Sequence, residues 1–267
     1  MKNIFLEKTQ KGEKTIGTFF EMGLGTVGEV VGFTDLDYVI VDSEHGPYGV
    51  ESTMEILRGL DQLESVTPLV RVKDTNRNSI LKMLDIGAKG LIIPQVKSLE
   101  EIKEIVRVGK YFPIGERGVA FGRCAGYGYA DHAKGDLQDY FDTCNHNQLL
   151  IPQCETMGCL NEIEEIAATE GVDGIFVGPN DLSVAMGIPG QFDNPDFLKA
   201  LERIIRAVRA AGKFTMIYCD STKTAVKRLE AGFDSATINM DISFYVQALN
   251  QCVKDVKDNI FVKNTKK

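Results

Sequence analysis

Residues Tyr38-Val39-Ile40-Val41 form a short apolar run that leads directly into Asp42, Ser43, Glu44 and His45, in a chain of 267 residues with three histidines. Two carboxylates beside an imidazole are ingredients of general acid–base chemistry, because they set the charge state of a group that titrates near neutrality. Taken alone, His45 reads equally well as a hydrogen-bonded loop histidine. Two further apolar runs end in carboxylates: Leu149-Leu150-Ile151-Pro152-Gln153-Cys154-Glu155, and Gly174-Ile175-Phe176-Val177-Gly178-Pro179-Asn180-Asp181. A carboxylate pair without Cys or His partners suits a hard divalent cation, with water and substrate oxygens completing the octahedron at ~2.1 Å. Glu155 and Asp181 are therefore the candidate metal ligands, although Asp181 stands equally well as a helix N-cap. A third run, Pro68-Leu69-Val70, ends on Arg71, which reads either as a structural ion-pair residue or as a fixed cation for developing oxyanion charge. Asp85, within LKMLDIGAKG, reads as a helix-end residue before the next strand. His132, Cys144 and His146 match no zinc-site spacing and are expected at the surface.

Such groups act together only if the fold delivers them to one face. In parallel α/β proteins the buried strand is apolar and chemistry gathers where it emerges, at its carboxyl end. A helix-like segment, a glycine, two to six residues and an apolar run recur at Gly32 before Tyr38–Val41, Gly87 before Leu91–Ile93, Gly171 before Ile175–Val177 and Gly232 before Ser235–Ile238. The glycines fit left-handed helix C-caps. Adding Thr15–Phe19, Leu69–Val72, Leu149–Cys154 and Phe214–Tyr218 gives eight strands, the number of a TIM barrel. Helical patterns lie between most of them, at Asn78–Leu84, Leu99–Val108 behind a Ser98/Glu101 capping box, Leu160–Ala168, Asp196–Ala210 and Lys223–Ala231. An open doubly wound sheet also alternates strand and helix, but its G-x-G-x-x-G turn is missing. A single (β/α)8 barrel domain over residues 1–267 is expected. The long connection Pro113–Asn147 and the shorter Ser183–Pro195 read as binding or oligomer-contact loops, and residues 262–267 as a frayed basic tail.

With 38 acidic against 30 basic residues, the chain lacks the basic excess that nucleic acid or an anionic membrane would require. Its apolar stretches fall far short of the ~20 residues of a membrane span, and the first residues carry no signal-peptide core, so a cytoplasmic location is expected. Cys124, Cys144, Cys154, Cys159, Cys219 and Cys252 form no CxxC pair and read as reduced thiols.

Taken together, VIVDSEHGP, PLVRV, MLDIGAKGLIIPQV, ERGVAFGRCAGYG, IPQCET and GVDGIFVGPNDLSVAMG, in this order and spacing, closely resemble the HpcH/HpaI family of metal-dependent class II pyruvate aldolases. The resemblance runs from about Thr15 to Ile242. It implies a (β/α)8 barrel assembled as a homohexamer, with Glu155 and Asp181 holding Mg²⁺, Mn²⁺ or Co²⁺. It further implies that Arg71 binds and polarises the pyruvate part, and that His45 is the acid/base, acting with Asp85 and a metal-bound water. Gln153 matches a site glutamine. The pyruvate carboxylate is expected at the backbone N–H groups around Asn180 and Asp181, since Pro179 has none, with Gly178 of the same turn also a substrate-binding residue. Ala120 and the Tyr- and Gly-rich segment 122–131 depart from the family pattern, so the aldehyde acceptor does not carry over.

The implied reaction is reversible cleavage of a 4-hydroxy-2-oxo acid into pyruvate and an aldehyde, without a Schiff-base lysine. The runner-up is a CoA-ester lyase of the citryl or malyl type, which needs a groove for CoA phosphates; no basic cluster suited to it is legible. A non-catalytic barrel serving as a binding module is the third reading. It would be expected to have lost the site residues, all of which are present here.

Overall fold

The computed structural model describes residues 2–264. In chain order its elements are α1 (Ile4–Gln10), β1 (Thr15–Phe20), α2 (Gly25–Val31), β2 (Tyr38–Asp42), α3 (Val50–Leu60), β3 (Thr67–Arg71), α4 (Arg77–Asp85), β4 (Gly90–Ile93), α5 (Leu99–Gly109), α6 (Leu137–Asn147), β5 (Leu149–Cys154), α7 (Met157–Asn161), α8 (Ile163–Ala168), β6 (Gly174–Val177), α9 (Pro179–Ala185), α10 (Pro195–Ala210), β7 (Phe214–Cys219), α11 (Thr222–Glu230), β8 (Ser235–Met240) and α12 (Asp241–Asn264). Every residue of β2, β4, β5 and β6 is buried, which requires cover on both strand faces. The chain meets that requirement by closing the sheet on itself and laying helices around it. Strands pair in parallel and in sequence order, and β8 returns to β1, giving the expected (β/α)8 barrel.

Alternate strand residues fill the barrel, among them Phe19, Tyr38, Ile40, Leu69, Leu149, Phe176 and Met216. Helix α1 seals the amino-terminal end. Its Phe5 ring lies 5.0 Å from Tyr38 and 5.1 Å from Phe214, both in edge-on contact. Glycines make the room: a Cβ on Gly17 would lie 2.3 Å from the Tyr38 ring, and one on Gly174 would lie 2.2 Å from Phe214. With this end packed shut, ligands can enter only at the carboxyl ends of the strands.

The elements depart from the sequence reading in several places. β1 and β8 run on to Phe20 and Met240, and β3 covers Thr67–Arg71 rather than Leu69–Val72. The helix expected over Leu160–Ala168 is broken at Glu162 into α7 and α8. Gly87, Gly171 and Gly232 are left-handed, whereas Gly32 has φ −60° and an ordinary right-handed turn. The 113–147 connection contains α6 and a small core of its own, Tyr111, Cys124, Tyr140 and Cys144. Cys144 is thus buried rather than at the surface; His132 is half-buried and His146 exposed. The expected tail is helical as far as Asn264, and residues 265–267 lie outside the described residues. Among the described residues, no helix is long and apolar enough to cross a membrane.

Candidate active site

Strand period two decides which side chains meet. Tyr38 and Ile40 face the barrel interior, so Asp42 does too; Leu69 brings Arg71 with it, and Leu149 and Ile151 bring Gln153 and, one step beyond the strand, Glu155. These residues converge on the carboxyl-end mouth. Asp42, Arg71 and Gln153 line a cavity of about 220 Å³ there, together with His45, Asn180 and Asp181.

Arg71 is held from several sides. Asp42 accepts from its Nε at 2.9 Å and also from Nη2, Nη1 lies 3.2 Å from Glu44 Oε2, and the guanidinium carbon sits 4.6 Å from the centre of the Phe19 ring. Asp42 additionally accepts the backbone N–H groups of Glu44 (3.0 Å) and His45 (3.4 Å) as the chain turns out of β2. Burial alone would raise the Asp42 carboxyl, but Arg71 and these N–H groups hold it below its ordinary value. Asp42 is therefore a counter-ion for Arg71, not a base. Glu44 is pushed up by burial, with Glu155 and Asp42 adding to the effect against Arg71 and His45. Its Oε2 lies 3.9 Å from His45 Nε2. The imidazole itself is 70% exposed at the rim, where an incoming ligand can reach it.

The opposite side of the mouth is built differently. Glu155 is only 2% exposed, and its oxygens are met by neutral donors: the backbone N–H of Gln95 (2.7 Å), Gln95 Nε2 (3.1 Å) and Gln153 Nε2. Burial raises its carboxyl; the Gln95 and Gln153 hydrogen bonds and the more distant charge of Arg71 oppose that, and the negative charge of Asp181 adds to it. Asp181 is not an N-cap. Gly178 occupies that position with no side-chain cap bond, and Asp181 lies in the first turn of α9, exposed and without a hydrogen bond or ion pair among the described residues. Gly178 contributes space rather than a donor. Its N–H is directed at Cys154 O (3.4 Å), and a Cβ there would lie 2.6 Å from Glu155 Oε2 and 2.9 Å from Gln153 Nε2.

Two carboxylates without an ion pair among the described residues therefore stand on the side of the mouth that also holds the buried, unpartnered Oε1 of Gln153. This all-oxygen donor set suits a hard divalent cation. Among the described residues, no group of three or more His, Cys, Asp or Glu is arranged to hold a metal.

Asp85 is not part of this cavity. It ends α4 at the amino-terminal end of the barrel, where Oδ1 accepts from Arg117 Nη2 at 2.8 Å. A helix that returns the chain to the start of the next strand ends at the floor, so within this chain Asp85 stands apart from His45. Conversely, three features of the mouth went unread in the sequence. Gln95 follows β4 with a left-handed backbone (φ 55°) that aims its N–H at Glu155. Glu21 is the next inward residue of β1 after Phe19 and lines the cavity; burial, reinforced by Asp42 and Asp241, pushes its carboxyl up to about 7. Its signal was present, since Phe19-Phe20-Glu21 is another apolar run ending in a carboxylate. Lys223, Lys227 and Arg228 of α11 line a neighbouring cavity that shares Asn180 and Tyr218 with the first, a small basic cluster not legible in the sequence.

Comparison with known proteins places this barrel among relatives. A 2-keto-3-deoxy-L-rhamnonate aldolase of Klebsiella pneumoniae is 31% identical over 252 residues, 94% of this chain and 92% of the relative. Among solved structures, an HpcH/Hpal aldolase/citrate lyase family protein from Burkholderia cenocepacia superposes with a TM-score of 0.87 at 29% identity, covering 96% of this chain and all of the other. An HpcH/HpaI aldolase from Desulfitobacterium hafniense gives 0.86 at 27% identity, covering 96% and 98%. The family model for HpcH/HpaI aldolase/citrate lyase matches residues 18–248, a span that carries every mouth residue described above, and the chain belongs to that family.

Proposed function

We propose that the mouth cavity reversibly cleaves a 4-hydroxy-2-oxo acid into pyruvate and an aldehyde. The observation that carries this reading is the placing, at one small cavity, of a fixed guanidinium opposite Asp181 and the adjoining Glu155, two carboxylates with no ion pair among the described residues. The aldolase relatives support carbon–carbon lyase chemistry, and the name of the Klebsiella protein describes a 2-oxo sugar acid as its substrate. A divalent cation held by Glu155 and Asp181, with Mg²⁺, Mn²⁺ and Co²⁺ as candidates, would supply Lewis acidity at the 2-oxo and carboxylate oxygens.

The protein's own groups do the rest. The Asn180 and Asp181 backbone N–H groups, free in the first turn of α9, offer donors to the substrate carboxylate. Arg71 lends positive charge to the 2-oxo oxygen as electrons arrive there. His45 takes the proton of the 4-hydroxyl; the C3–C4 bond breaks, its electron pair passes into the pyruvate enolate, and the aldehyde carbonyl forms. Protonation of C3 from solvent completes pyruvate. In synthesis His45 returns its proton to the new alkoxide. Assembly into a homo-oligomer belongs to this reading, supported by the exposed apolar side chains Phe244, Tyr245, Leu249 and Val253 along α12. A CoA-ester lyase is a second reading, favoured by the Lys223, Lys227 and Arg228 cavity beside the mouth. A panel of 4-hydroxy-2-oxo acids assayed for pyruvate release with each cation, alongside citryl- and malyl-CoA, separates the two. Pyruvate release from the oxo acids is the expected result; thioester cleavage without it would overturn the aldolase reading.

A further inference from the structure

With the pyruvate half of the substrate between Arg71 and the Glu155/Asp181 pair, the aldehyde half points at the remainder of the mouth. That remainder comprises Phe19 and Glu21 at β1, Tyr218 of β7 and Met240 of β8. Resting on the pyruvate reading above, we propose that Glu21 is the specificity-determining residue for the aldehyde, selecting an uncharged, hydroxylated aldehyde and excluding one that carries a carboxylate.

The Glu21 position is fixed by its surroundings. Its backbone N–H donates to Asp241 Oδ1 at 2.8 Å, the Tyr48 hydroxyl donates to its carbonyl, and the negative charges of Asp42 and Asp241 act on its carboxyl. Acidic groups therefore back it on two sides. Arg71 is the only Lys or Arg among the residues lining the cavity, and its fork is already taken by Asp42 with Glu44 beside Nη1. A carboxylate on the aldehyde would face Glu21 with no cation of this chain to offset the repulsion. A hydroxyl suits the same place, because it donates to a carboxylate and accepts from a carboxylic acid, and near neutral pH Glu21 offers both forms. Lys223, Lys227 and Arg228 belong to the adjoining cavity, where Asp193 pairs with Lys227.

The test is aldol addition of pyruvate, with Mn²⁺ or Mg²⁺ present, to glycolaldehyde and lactaldehyde against glyoxylate and succinic semialdehyde. Wild type is expected to favour the uncharged pair by about tenfold or more in kcat/KM, the size of one unfavourable charge contact. Glu21→Gln, which keeps the shape and loses the charge, should reduce that ratio several-fold, and Glu21→Ala should do so with a separate folding check by circular dichroism. A wild-type enzyme that uses glyoxylate or succinic semialdehyde as well as the neutral aldehydes would overturn the proposal, as would a ratio unmoved in both variants. Exchange of the pyruvate methyl protons with deuterium in the wild type, followed by NMR without any aldehyde, keeps the two ideas apart. Exchange with an unmoved ratio removes only the role of Glu21; no exchange removes the pyruvate reading and this proposal with it.

Discussion

The two sides of the barrel mouth solve the problem of charge in opposite ways. At β2 and β3 the protein supplies its own counter-charge: Arg71 is locked on Asp42, faced by Glu44 and capped by the Phe19 ring. At β5 and β6 it leaves negative charge standing, with Glu155 met only by neutral amides and Asp181 by no protein donor among the described residues. A preorganised cation is useful where charge develops during a reaction, because it costs no reorganisation at that moment. Unbalanced buried carboxylate raises the free energy of the site by itself, and lowers it again when a hard cation binds. The difference teaches that one side is built to hold transition-state charge, and the other to hold an ion that makes such charge possible.

The largest break in this comparison should come from His45→Ala assayed on two substrates. Oxaloacetate yields the pyruvate enolate by losing CO₂ and has no hydroxyl proton to remove. The variant should lose aldol cleavage by roughly 10²–10⁴-fold while keeping most of its oxaloacetate decarboxylation. Equal losses in both reactions would show that His45 does not serve the hydroxyl proton. Next in size is a contrast in stability. Asp42→Ala strands a largely buried guanidinium and should cost about 3 kcal/mol in urea unfolding, whereas Asp181→Ala should cost less than about 0.5 kcal/mol without added metal. Similar values for the two would erase the distinction between balanced and unbalanced sides.

Arg71→Lys keeps the charge but loses the planar fork by which Asp42 fixes that charge at the cavity. We expect kcat to fall about 10²-fold with KM for the oxo acid changed less. Unchanged kinetics would reduce Arg71 to a structural ion pair. The smallest effect concerns Glu21. Its carboxyl, at about 7 in the folded chain against an ordinary 4.5, binds a proton more tightly folded than unfolded. Stability from this group is therefore present below pH 4.5 and is lost as pH rises towards 7. The side chain is half-exposed, so the loss should be below ~1 kcal/mol, and Glu21→Gln should flatten the pH dependence of urea unfolding over that window.

Much of the fold and part of the site could be read from the sequence for one physical reason. A buried parallel strand must be apolar, so the first charged residue after it marks the mouth, and Asp42, Arg71 and Glu155 stand out by contrast. The same rule applies to Glu21, but a strand read as Thr15–Phe19 stops short of the Phe20 that carries the run to this carboxylate. Gln95 could not be read, because its part depends on a left-handed backbone that no residue type demands. Asp85 lies on a helix end at the floor of this barrel, so within one chain it does not meet His45, whatever its type suggests. Gly178, expected among the substrate-binding residues, leaves room there, which only the neighbouring Glu155 and Gln153 atoms reveal.

The central claim is that enolate chemistry depends on a divalent cation held by the unbalanced side of the mouth. It is tested most directly by following pyruvate methyl-proton exchange in deuterium oxide by NMR, for wild type and Glu155→Ala, before and after EDTA and after Mn²⁺ is restored. We expect exchange in the wild type that EDTA abolishes and Mn²⁺ restores, and none above background in Glu155→Ala under any condition. Undiminished exchange in Glu155→Ala, or in EDTA-treated wild type, would contradict the account.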